Sequence, residues 1–182
     1  LFDKNRTWSE AMRQREPEFF AKLSRQQSPE YLWIGCSDSR VPPELVFDAG
    51  FGELFVIRVA GNVLGPSILG TLQYAASHLH TPLFVVLGHE GCGAVKAAIA
   101  SKFEGATHKK RIEILLENIL PALDGLDQLQ PAEVLCRSAV EANVRRTVGL
   151  AALIIAIFLG ALLLPRVIMP TVTRLDTQGS FT

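Results

Sequence analysis

The sequence predicts an α/β domain built on a mainly parallel central β-sheet flanked by helices. Three observations carry this. Short, continuous apolar runs end at or near glycine, as strands buried on both faces do. Longer segments between them repeat their apolar residues at helical spacing. The two kinds of segment interleave along the chain, which favours a parallel sheet.

Taken in order, residues 5–23 are expected to form an N-terminal helical arm (about 5–24) in which Trp8, Met12, Phe19 and Phe20 give an incomplete apolar stripe and Pro17 is a candidate break. Tyr31-Leu32-Trp33-Ile34 reads as the first buried strand, ending at Gly35. Residues 54–60 form a second, with Arg58 inside it, and residues 67–80 have helical spacing. Pro82 then opens Leu83-Phe84-Val85-Val86-Leu87, a third buried strand closed by Gly88. Helices are expected over 94–100, over 109–120 and from Pro131 to about Leu163, and residues 166–173 are β-like before a turn at Thr177-Gln178-Gly179. No internal repeat, low-complexity stretch or linker divides the chain, so residues 1–182 read as one domain.

Residues 148–164 carry no charged side chain. A helix of that length spans about 25 Å, short of the roughly 30 Å of a hydrocarbon core. The segment therefore reads as an atypical apolar helix buried on nearly all faces, in the core or at a subunit interface, and membrane association is not expected. The formal net charge is zero, and the basic clusters Lys109-Lys110-Arg111 and Arg145-Arg146 are short, so no nucleic-acid partner is expected. Three cysteines (Cys36, Cys92, Cys136) are too few for a disulfide framework and suit a reducing, cytoplasmic compartment. No leader is recognisable before residue 5, and Cys136, in a helical pattern, reads as a small buried hydrophobe.

Cys36 directly follows the first strand, His89 follows the third after one glycine, and Cys92 comes three residues later. Parallel sheets place their sites at strand carboxyl ends, so these three side chains are candidates to converge. Two thiolates and an imidazole suit Zn2+, and three protein ligands leave a fourth position for chemistry, as in catalytic rather than structural zinc sites. The segment Gly88-His89-Glu90-Gly91-Cys92-Gly93 lacks the glycine spacing of a nucleotide-binding loop. Two thiolates formally neutralise Zn2+, so a bound water is less acidified than at a three-histidine site and needs a partner to orient it. Asp38 and Arg40, two and four residues after Cys36, are the candidate dyad: an arginine fork would keep the carboxylate ionised and aimed. Asp38 could instead turn inward as a fourth ligand.

Cys36-Ser37-Asp38-Ser39-Arg40 together with Gly88-His89-Glu90-Gly91-Cys92-Gly93 resembles the signature pair of the β-class carbonic anhydrases, in their bacterial form. Phe55–Asn62, Gly70–Ala75 and Glu141-Ala142-Asn143-Val144 are similar to the same family. The resemblance implies zinc on Cys36, His89 and Cys92, one ion per chain, with Asp38 and Arg40 catalytic. It implies reversible hydration of CO2 to bicarbonate and a proton by zinc-bound hydroxide, in a homodimer or tetramer whose N-terminal arm embraces its partner. Some bacterial members add an inhibitory bicarbonate pocket of Trp, Arg and Tyr. Trp33 and Arg58 match the first two, while Thr173 stands where the tyrosine belongs, so that pocket is incomplete. Residues 149–170 depart most from the family pattern. Rival readings keep the fold but hydrolyse CS2 or COS, or make the chain a non-enzymatic zinc module.

Overall fold

The computed structural model describes residues 1–79, 81–159 and 167–173, with the backbone alone at 158–159 and 167–173. Among these residues four strands, β1 (Tyr31–Gly35), β2 (Leu54–Arg58), β3 (Leu83–His89) and β4 (Val167–Thr173), form one wholly parallel sheet in the order β2-β1-β3-β4. Seven helices accompany it: α1 (Phe2–Arg15), α2 (Phe19–Leu23), α3 (Pro43–Val46), α4 (Pro66–Tyr74), α5 (Gly93–Phe103), α6 (Lys110–Leu116) and α7 (Ala132–Leu159). β1 pairs with β2 on one side and β3 on the other, so the order reverses between β1 and β3, the place where such sheets open a crevice at their carboxyl ends.

The expected β-runs became strands, and β1 and β3 bury one face fully and the other in part. Leu32 and Ile34 of β1 are fully buried, as are Phe84 and Val86 of β3 within about a percent. With Ile57 they pack under Leu72 and Ala75 on one side of the sheet and under Val144, Ala151 and Ile155 of α7. A second cluster lies beyond the strand ends, where Cys36, Val63, Cys92, Val95, Ile119, Leu123, Leu135, Ala139 and Val140 meet. α7 serves both clusters. Its 28 residues cover about 42 Å, with residues 135–140 on the second cluster and 144–155 on the sheet.

The structure differs from the sequence reading in several places. The arm is two helices, because Pro17 forces its predecessor out of the helical region and Glu16 sits at φ −138°, ψ 84°. The helix expected over 109–120 stops at Leu116, and a 3₁₀ turn at Leu120–Leu123 follows, holding Pro121 in its first turn. The helix expected to 80 changes to a π turn at Ala75–Leu79, and His80 lies outside the described residues. The apolar segment 148–164, expected to be buried in the core or at a subunit interface, is covered by the single chain on one side of its described part. Ala151 and Ile155 are covered, but Leu153 and Ile157 are 55% and 63% exposed, since a single helix resting on a sheet hides one side only. Residues 160–164 lie outside the described set. No described helix is long and apolar enough to cross a membrane. Beyond the gap, β4 aligns with the whole of β3, from Leu83↔Val167 to His89↔Thr173. Pro170 is tolerated there because β4 is the edge strand of the described sheet.

Candidate metal centre

β1 delivers Cys36 one residue beyond its last paired position, and β3 delivers His89 as its final residue. Cys92 immediately precedes α5. The ligand atoms of Cys36, His89 and Cys92 lie within 4.8 Å of one another, and all three residues are buried. The two sulphurs are 3.9 Å apart. Tetrahedral Zn–S bonds of about 2.3 Å put two sulphurs about 3.8 Å apart, so the pair is already at zinc spacing. His89 Nδ1 lies 3.0 Å from the carbonyl oxygen of Glu90. A carbonyl only accepts, so Nδ1 carries the proton and Nε2 presents its lone pair. Nε2 is buried and makes no hydrogen bond. A buried acceptor without a hydrogen bond, set next to two thiols, is what a cation would satisfy, and the donor set fits Zn2+.

Electrostatics agree. The hydrogen bond from Cys92 is the main influence pulling the Cys36 thiol down, aided by His89 and the Gly61 N–H, while the same contact and burial push Cys92 up. The first-turn N–H groups of Ala94 and Val95 act on Cys92 in the opposite sense. The pair thus holds one proton between two sulphurs. A divalent cation in their midst would release it, which is the usual cost and consequence of loading a thiolate site.

Asp38 is turned onto Arg40. Arg40 Nε donates to Oδ1 at 2.9 Å and Nη2 to Oδ2 at 2.7 Å, with the Arg40 backbone N–H adding a third bond to Oδ1 at 3.0 Å. This fork holds the Asp38 carboxyl well below the usual carboxylate range. Oδ2 remains 3.8 Å from His89 Nε2, so the carboxylate borders the ligand cluster without joining it. Arg40 Nη2 also donates to the carbonyl of Gly91 at 3.3 Å, which ties the dyad to the loop between His89 and Cys92.

The candidate bicarbonate pocket places Trp33 and Arg58 on one side of the sheet, since Arg58 is in register with Gly35, two residues from Trp33. The Trp33 indole packs on Phe47, and its Nε1 is buried without a hydrogen bond. It lies over Gly35, where an added Cβ would stand 2.9 Å from Nε1. Arg58 donates through Nε to the Cys36 carbonyl at 3.0 Å and through Nη2 to the Asp38 carbonyl at 2.6 Å. Its described contacts therefore shape the loop that carries Cys36 and Asp38. Thr173 pairs through its backbone with His89, and its side chain lies outside the described residues.

Sequence reasoning missed the residues that brace Cys36 from behind. The Gly61 N–H donates to Cys36 Sγ at 3.3 Å. Asn143 Nδ2, on α7, donates to the Gly61 carbonyl at 2.8 Å, and Thr147 Oγ1 donates to the Asn62 carbonyl at 3.2 Å. Asn143 and Thr147 are 1% and 3% exposed. A charge-free polar residue on the covered side of a helix was the available signal.

Comparison with known proteins agrees with this geometry. The family model described as carbonic anhydrase matches residues 31–153, which contain all three candidate ligands and the dyad. The chain is 40% identical over 118 residues to carbonic anhydrase 2 of Mycobacterium tuberculosis, covering 62% of this chain and 57% of that protein. It is 46% identical over 103 residues to a carbonic anhydrase of Emericella nidulans, covering 54% of this chain and 45% of that protein. The chain thus spans about half the length of these curated relatives. Among solved structures, a Coccomyxa β-carbonic anhydrase in complex with acetazolamide superposes with a TM-score of 0.80 at 28% identity, over 94% of this chain and 79% of that one. A tetrameric β-carbonic anhydrase from Sordaria macrospora gives 0.72 at 25% identity, over 85% and 78%. The family match over residues 31–153 and these superpositions show that the chain belongs to the carbonic anhydrase family, in its β class.

Proposed function

We propose that this chain catalyses the reversible hydration of CO2 to bicarbonate and a proton, with one Zn2+ held by the thiolates of Cys36 and Cys92 and by His89 Nε2. The observation that carries the reading is the buried Cys36–His89–Cys92 cluster with the Asp38 carboxylate, clamped by Arg40, 3.8 Å from the histidine nitrogen. Zinc bound there would act as a Lewis acid that acidifies water and so supplies a nucleophile for CO2.

The chain's own residues do the rest. Asp38, kept ionised by its arginine fork, is an acceptor and not a proton donor. Its Oδ2 would accept a hydrogen bond from the attacking oxygen and so turn that oxygen's lone pair toward CO2. Arg40 keeps the carboxylate turned this way and, through Gly91, in register with the ligand loop. Arg58 fixes the carbonyls of Cys36 and Asp38, so ligand and dyad move together. Val63, Val95 and Ile119, buried in the same cluster as both cysteines, exclude water from behind the sulphurs.

Stopped-flow CO2 hydration tests this. Asp38→Ala is expected to lower kcat/KM by about 10²-fold or more, the scale of a positioned acid–base group, with zinc content unchanged. Equal rates in parent and variant would sink the dyad. The acid limb of stability has a definite sign. Because the folded-state value of Asp38 is depressed, its ion pair contributes fully above the unfolded value of about 3.9. That contribution is lost as pH falls below this, through the depressed value. Urea midpoints of parent and Asp38→Asn are therefore expected to differ at neutral pH and converge on acidification.

A homodimer or tetramer in the cytoplasm belongs to the same proposal. Leu45, Phe47 and Phe51 are 81%, 49% and 64% exposed, apolar surface that a second subunit would cover, and the three cysteines are free thiols.

A further inference from the structure

Glu90 lies between two of the candidate ligands in sequence, and its two ends do different things. Its carbonyl oxygen takes the His89 Nδ1 proton at 3.0 Å. Its carboxylate pairs with Arg137 of α7, Nη2 to Oε1 at 2.8 Å. On the far side, the next carbonyl, that of Gly91, is held by Arg40. The two-residue link from His89 to Cys92 is thus gripped from both flanks, by the dyad arginine and by an arginine 47 positions further on that touches no ligand. We infer that Arg137 is a positioning residue for the metal centre: by fixing Glu90 it orients the carbonyl that sets the His89 tautomer and ring plane, and so the direction of the Nε2 lone pair.

The inference rests on zinc being held at Cys36, His89 and Cys92. It is separable from a general structural role because of where Arg137 sits. Its side chain is 55% exposed, and it borders an open cavity of about 340 Å³ together with Lys96, Glu133 and Cys136. Truncating it removes no buried contact and leaves no unpaired buried charge on its own side. Glu90 is 28% exposed, so the pair is partly screened and its influence is bounded. An exposed or half-exposed ion pair corresponds to at most about fivefold in an equilibrium, against the ten- to hundredfold typical of a group bonded directly to a ligand histidine.

The readouts are the rate of zinc loss from the full chain to an excess of chelator and the visible spectrum of the cobalt-substituted protein. Arg137→Ala and Glu90→Gln are each expected to speed zinc loss by about fivefold and to shift or broaden the cobalt bands. Arg137→Lys is expected to restore most of the loss rate. The double variant should be no worse than the worse single one, as for two halves of one interaction. Far-UV circular dichroism and the urea midpoint should stay near parental in Arg137→Ala. A parent that holds zinc, with Arg137→Ala matching it in loss rate and cobalt spectrum, overturns this inference and leaves the functional proposal standing. Independent, additive effects of the two substitutions overturn it equally. A parent that takes up no metal overturns the functional proposal and this inference with it.

Discussion

His89→Ala is expected to abolish stoichiometric zinc binding and to take CO2 hydration back toward the uncatalysed rate. The loss should be at least about a thousandfold, since a catalytic metal supplies several kcal/mol of transition-state stabilisation. The reason is specific to this donor set. Removing the imidazole leaves two sulphurs 3.9 Å apart, whose mutual contact draws the Cys36 thiol down and pushes the Cys92 thiol up. Two thiols must lose their protons to hold a cation and here have no third donor to close the geometry. His89 is the only imidazole among the three clustered residues, and its buried Nε2 has no hydrogen-bond partner in the described contacts. Metal analysis of the purified variant and stopped-flow hydration check the prediction. Full zinc occupancy with a parental rate would mean that the cluster is not the catalytic centre.

Gly61→Ala is expected to destabilise the protein by about 3 kcal/mol and to impair metal retention, although the residue ligates nothing. Gly61 sits at φ +70°, where an alanine costs about 1–2 kcal/mol. Its new Cβ would stand 2.7 Å from Ile119 Cδ1 and 3.1 Å from Ala94 Cβ. Ile119 is fully buried, so relief requires shifting packed side chains, at about 1–3 kcal/mol. The strain falls on the N–H that supports Cys36 Sγ and on the carbonyl that Asn143 holds. Urea denaturation gives the stability change. Ile119→Val in the same chain should recover the steric part and leave the backbone part. No recovery, or a change within a few tenths of a kcal/mol, would show that the loop moves freely.

The sequence disclosed the strands and ligands for one reason and hid their supports for another. Leu83 to Leu87 is readable because the run is apolar throughout, with Phe84 and Val86 buried and Leu83 and Val85 partly so. Cys36, His89 and Cys92 are readable because thiol and imidazole at strand ends have few other uses. Asp38 and Arg40 are close in sequence, so their pairing is a local matter. Asn143 and Gly61 are 82 positions apart, and no periodicity or spacing relates them; only the docking of α7 does. Arg137 and Glu90 are hidden in the same way. Leu153 and Ile157 are exposed in the single chain; an apolar run states only that water is disfavoured, not which neighbours exclude it. Pro17 and Pro121 carried local information, and the two helices they limit are the ones whose lengths it corrects.

α7 is one unbroken element that rests on the sheet with one half and on the metal-site cluster with the other. Asn143 and Thr147 sit at the junction, so the contacts bracing Cys36 lie along the same rigid body that closes the sheet. The two halves of the molecule therefore share a mechanical beam. Loosening of the sheet cannot stay confined to the sheet: it is transmitted to the cysteine loop before any ligand is touched. The tenure of a metal held there would be tied to how firmly β1 and β3 are covered, and substitutions far from the cluster, on the sheet-facing half of α7, would act on it too.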